Sequence, residues 1–103
     1  MPVSLELKFT PEAKADLFGI FEYIAKNLTA PSAAENLIAK VETACERLTA
    51  FPLSGTIPRD DTLAKKGYRI LIVDNFLVFY MVDQNNVKIM RIVYGRRNYQ
   101  RLL

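Results

Sequence analysis

The residues best able to do chemistry in this 103-residue chain crowd towards its C-terminal end. The segment Gly95-Arg96-Arg97-Asn98-Tyr99-Gln100-Arg101 sets three guanidinium groups around one phenol. Arginine forks match the geometry of phosphate and carboxylate, and a tyrosine among them can stack on a base. Arg69, Lys88 and Arg91 stand upstream in segments patterned as strands of one sheet. Taken alone, the tail reads equally well as a solvated end whose last two leucines, Leu102 and Leu103, pack back on the core. The neighbouring cations favour a working surface built from Arg69, Arg91, Arg96, Arg97, Tyr99 and Arg101. Charge distribution points the same way. Residues 1–64 hold 6 basic and 9 acidic side chains, whereas residues 65–103 hold 8 basic and 2 acidic, a swing from −3 to +6. Such a skew suits an anionic partner: nucleic acid, ribosome or an acidic protein.

Several other chemistries are excluded. The sequence contains no histidine, which removes Ser-His, Cys-His and His-ligated metal mechanisms. Acid–base work would fall to Arg, Lys, Tyr, Asp or Glu. Cys45 is the single cysteine, so no internal disulfide can form; its helical spacing between Val41 and Leu48 marks a buried structural thiol. Asp60-Asp61 has no further ligand in sequence reach and reads as a turn, and Lys65-Lys66 as solvated loop residues. With no glycine-rich phosphate loop and no metal-ligand cluster, no cofactor is expected. No apolar run approaches the roughly 20 residues that cross a bilayer. Met1 to Phe9 alternates apolar and polar residues and has no signal-peptide core. These features predict a cytoplasmic protein without a membrane partner.

The elements that must hold these residues follow from periodicity. Val3, Leu5, Leu7 and Phe9 alternate with polar residues as a half-buried strand. Thr10 and Pro11 open a helix as N-cap and first helical residue, and Ala13, Leu17, Ile20, Phe21 and Ile24 carry it to Lys26 or Asn27. After a break, Ser32 and Glu35 form a capping-box pattern for a second helix reaching about Ala50, where Phe51-Pro52 stops it. Residues 53–66 read as an aperiodic loop. Tyr68–Val73, Phe76–Val82 and Val87–Tyr94 are three strands joined by polar turns at Asp74-Asn75 and Asp83–Asn86. In the last strand, alternation places Val87, Ile89, Arg91 and Val93 on one face, and Lys88, Met90, Ile92 and Tyr94 on the other. The expected architecture is a single α+β domain over residues 1–103, two-layered, in the order β-α-α-β-β-β, with a helical hairpin packed on a mainly antiparallel sheet.

Three segments carry a resemblance to a known family. "FTPEAKADLFGIFEYIA" resembles the first helix of the RelE/ParE toxins, and "LTAFPLSGTIPRDD" their loop after the second helix. "YRILIVDNFLVFYMVDQNNVKIMRIVYGRRNYQRLL" is similar to the ParE-type ending of three strands and a G-R-R tail. The resemblance implies a growth-inhibiting toxin of a type II toxin–antitoxin (plasmid-stabilisation) module. Its implied partners are a cognate antitoxin, which neutralises it, and operator DNA reached only through that antitoxin. The ParE branch implies a non-enzymatic inhibitor of DNA gyrase. The alternative branch, RelE, implies cleavage of mRNA on the ribosome, with Arg97 holding the phosphate, Tyr99 assisting proton transfer and Arg91 as a further cation. The RelE pattern transfers incompletely. Its middle-strand arginine falls at Leu77 and its late tyrosine at Leu103, and the histidine of the related YoeB ending falls at Asn98. A binding surface, by contrast, needs no acid–base pair.

Overall fold

The computed structural model describes residues 5–95. Strand β1 (Glu6–Phe9) turns Leu7 and Phe9 towards the core and Glu6 and Lys8 to solvent. Helix α1 (Pro11–Glu22) begins as its residues dictate: Thr10 Oγ1 accepts the Ala13 N–H at 3.0 Å and Pro11 occupies the first turn. Its last stretch, Tyr23–Asn27, widens into a π-helical turn closed by Leu28 N–H on the Tyr23 carbonyl. Helix α2 (Pro31–Arg47) returns antiparallel across the sheet, burying Ala34, Val41 and Cys45.

The expected capping box is corrected here. The helix starts at Pro31, with Ala30 as cap and no side-chain cap bond. Proline is preorganised for the first helical position, so the helix begins before Ser32 and leaves that hydroxyl inside the first turn. The supposed loop is also corrected. Asp60 caps a short helix α3 (Asp61–Lys65), its carboxylate accepting the Leu63 N–H at 3.0 Å. Five residues are too few to show a period, and only Leu63 among them is buried.

Strands β2 (Arg69–Val73), β3 (Phe76–Val82) and β4 (Asn86–Tyr94) form the antiparallel meander, and β1 joins β4 in parallel, giving the order β1-β4-β3-β2. Asp83 shapes the β3–β4 turn by accepting the N–H groups of Asn85 and Asn86 at 2.8 and 2.7 Å. The helices cover one sheet face, where Val41, Cys45 and Leu48 meet Val78, Tyr80, Val87, Ile89 and Ile92. Leu77, Phe79 and Val93 gather on a second apolar cluster with Leu63 and Tyr68. Phe76–Tyr80 is consequently buried without interruption, as in a strand covered on both sides.

The strict two-face division of β4 does not hold. Tyr80 pairs with Ile89 but Phe79 pairs with Arg91, so Met90 is an extra residue on β4. A bulge of this kind reverses the facing of everything beyond it. Val87, Ile89 and then Ile92 therefore face the helices, while Val93 joins the other cluster.

Candidate functional site

Arg91 lies at the bulge, where β4 has run past the end of β1. Among the described residues no strand lies beside it there, and this part of the β4 edge is closed by α1 and its cap. Thr10 Oγ1 donates to the Met90 carbonyl at 2.9 Å, and Asp16 Oδ2 accepts the Ile92 N–H at 2.9 Å. The same carboxylate receives Arg91 as a two-pronged fork, Nε to Oδ2 at 2.8 Å and Nη2 to Oδ1 at 2.9 Å. Both side chains are largely withdrawn from water, 23% and 15% exposed, so this pair is screened less than a surface one. The hydrogen bond to Asp16 pushes the guanidinium still further above its ordinary range.

Arg69 sits on β2 and reaches the other way. Its Nη1 donates to the carbonyls of Gly55 at 2.9 Å and Leu53 at 3.4 Å. Tyr80, fully buried on β3, works on the same loop: its hydroxyl donates to the Pro52 carbonyl at 2.8 Å and accepts the Gly55 N–H at 2.9 Å. Burial pushes the phenol above its ordinary pKa, with the Gly55 N–H and then the Arg69 charge pulling against it. Gly55 permits this approach, because a Cβ there would lie 2.5 Å from the Tyr80 hydroxyl and 2.8 Å from the Ile70 carbonyl. Thr56 and Ile70 add a two-bond bridge at 2.9 and 2.8 Å.

The sequence-derived site is therefore only partly assembled within residues 5–95. Arg69 and Arg91 share the sheet but are separated by β3 and serve different neighbours, one the loop and one α1. Arg96, Arg97, Tyr99 and Arg101 lie outside the described residues. Lys88 is exposed on β4, level with Lys8 on β1. Asp16, Tyr80 and Gly55 were not among the expected site residues. For Asp16 a signal existed: it lies three residues after Ala13 and four before Ile20, a carboxylate on the apolar stripe of α1.

Cys45 is buried, and burial, with Glu42 and Glu46 nearby, pushes its thiol up to about 12, far from a nucleophile's range. Among the described residues there is no group of three metal-ligating side chains, and no helix is long and apolar enough to cross a membrane. Two shallow hollows flank β2. One of about 250 Å³ is lined by Ala44, Arg47, Phe51, Ser54 and Leu71. The other, of about 300 Å³, lies between Ile72, Leu77, Tyr94 and the Asp74-Asn75 turn. What the described residues offer is surface for a partner: exposed apolar side chains, and cations tied by forks and carbonyls.

A helical hairpin on a four-stranded sheet, with β1 parallel and the meander antiparallel, is the small α+β fold of the RelE/ParE toxins. The family described as "ParE toxin of type II toxin-antitoxin system, parDE" matches residues 7–99, and the chain belongs to it. Among solved structures, the chromosomal ParDE system of P. aeruginosa superposes with a TM-score of 0.75 at 23% identity, covering 90% of this chain and 98% of that one. The RelBE2 toxin–antitoxin complex of Mycobacterium tuberculosis gives 0.63 at 25% identity, covering 89% and 99%. The E. coli DinJ-YafQ complex gives 0.59 at 11% identity, covering 98% and 99%. No curated protein matches the sequence.

Proposed function

We infer that this toxin arrests growth by binding DNA gyrase and trapping its cleavage complex, and that a cognate antitoxin holds it inactive. The observation that carries this reading is the use of its meander cations. Arg91 forks on Asp16 and Arg69 caps loop carbonyls, while Leu77 stands where the RelE branch has an arginine. A phosphodiester-cleaving site needs cations aimed at the scissile phosphate and a group that handles the 2′-hydroxyl proton. A gyrase inhibitor needs a binding surface, which the ParE family match favours. Arg96, Arg97, Tyr99 and Arg101 would extend that surface. Operator DNA would be reached only through the antitoxin, and the whole cycle would run in the cytoplasm.

Purified toxin, gyrase, supercoiled plasmid and ATP test this directly. Protein-linked linear DNA is the expected product. Growth arrest without any linear DNA would remove gyrase as the target.

The similarity to the RelBE2 complex favours a second reading, a ribosome-dependent mRNA endonuclease using Arg97 and Tyr99 with Arg91 nearby. Under that reading Tyr99→Phe abolishes mRNA cleavage, whereas gyrase poisoning would tolerate loss of the hydroxyl.

A further inference from the structure

Helix α1 is apolar on two sides, and the fold uses one of them. Ala13, Leu17 and Ile20 face the core. On the opposite side Ala15, Phe18 and Gly19 are exposed, and Phe18, at 67%, is the most exposed large apolar side chain among the described residues. Gly19 is the odd member of this face. It lies inside an ordinary helix, so no positive φ requires a glycine there, and a Cβ would meet nothing within 4 Å. Within a helix only proline is less favourable than glycine. Nothing among the described residues accounts for its presence. Beside the Phe18 ring, a glycine leaves room for another chain to come close to the helix backbone.

The charges on this face describe what fits it. Along the helix come Glu12 and Lys14, then Phe18 and Gly19, then Glu22 and Lys26. Glu12, Lys14 and Lys26 are exposed and Glu22 is partly so. Lys26 reaches Glu22 at 3.0 Å, whereas Glu12 and Lys14 take part in no ion pair among the described residues. Turned end for end about a point between Phe18 and Gly19, this pattern meets its own complement. Lys14 comes opposite Glu22, Glu12 opposite Lys26, and the Phe18 ring opposite the open Cα of Gly19. A two-fold contact between identical chains needs this self-complementarity. A face made for an unrelated protein has no need to match its own reverse.

We propose that two copies of this chain pair through α1, antiparallel about a two-fold axis at Phe18–Gly19. Each Phe18 seats on Gly19 of the second copy, flanked by Lys14–Glu22 and Glu12–Lys26 ion pairs between the copies. Roughly four turns of helix meet, which is less surface than a permanent dimer buries, so the pair is reversible and forms in the micromolar range. Helix α1 packs at the β1–β4 end of the sheet, and the β2 edge at the other end stays uncovered in both copies. The pair is thus a toxin with two working surfaces, whichever target it takes.

Sedimentation velocity on the full chain, free of antitoxin, should show monomer giving way to dimer between about 1 and about 500 μM. Phe18→Glu should weaken the association about ten-fold or more. Gly19→Gln should do the same while raising the Tm of the monomer, because glutamine is the better helix former and its Cβ meets no clash within the chain. The charges supply the sharper arm. Lys14→Glu and Glu22→Lys each set like charges opposite one another and should each weaken self-association, with unchanged circular dichroism spectra. An equimolar mixture of these two variants restores both contacts and should dimerise as the parent does. A parent chain that stays monomeric throughout, or a Gly19→Gln protein that dimerises like the parent, overturns the proposal. So does a mixture that associates no better than its components. Loss of antitoxin binding or of growth arrest in Phe18→Glu, from a parent that never dimerises, would hand this face to the antitoxin or to the target instead.

Discussion

Asp16 is one carboxylate serving three donors, two on Arg91 and the backbone N–H of Ile92. Asp16→Ala would remove the fork acceptor of a largely buried guanidinium and the acceptor of the Ile92 N–H together, and the expected cost is about 2 kcal/mol of unfolding free energy. Urea denaturation at pH 7 measures it; Arg91→Ala in the same background should add little, because the pair acts as a unit. A second expectation concerns Cys45, whose thiol is pushed up to about 12. At pH 8 the folded protein should react with iodoacetamide at least a hundred times more slowly than the urea-unfolded chain, and equal rates would show the thiol is reached without unfolding. Cys45 was legible in the sequence, since its position on the α2 stripe states burial directly. The Arg91 fork was not, because 75 residues separate the two partners and no local pattern says that they meet.

At the scale of elements, the loop after α2 and the strand that anchors it behave as one unit. The Tyr80 phenol must stay protonated to donate to Pro52, and burial holds its pKa above the ordinary value of 10.0. A group raised in the folded state contributes stability that is complete below the unfolded pKa and disappears as pH rises through the folded one. The denaturation midpoint should therefore be insensitive to this group up to about pH 9.5, then fall above pH 10. Tyr80→Phe should flatten part of that alkaline slope, and an unchanged slope would assign it to other tyrosines or lysines. In the helical hairpin, Thr29 holds a left-handed backbone, φ 52, which a β-branched residue adopts with strain. Thr29→Asn is expected to stabilise by about 1 kcal/mol, read as a rise in Tm. Strand and helix identities were legible from periods of 2 and 3.6, but the Met90 bulge was not. One extra residue leaves the composition of β4 unchanged and becomes visible only when β3 is laid beside it.

Across the whole molecule, both long helices and all four strands contribute to one cluster around Val78, Tyr80 and Ile89. Neither the hairpin nor the sheet can leave without exposing the other. Far-UV circular dichroism and tyrosine fluorescence should consequently report a single coincident transition in urea. Separate midpoints would mean that the α1–α2 hairpin melts alone. The second cluster, around Phe79, packs on the same strand β3, so it should melt in that transition too.

The amino-acid sequence by itself determined the order of the long elements, the α1 cap, the buried thiol and the family, because these depend on neighbours within a few residues or on patterns that run the length of an element. Tertiary structure alone decided that Arg91 answers to Asp16, that Arg69 and Tyr80 brace a loop, and that the faces of β4 cross at Met90. Each depends on which groups the fold brings within hydrogen-bonding distance. That is a property of strand register and helix placement, and no single segment encodes it.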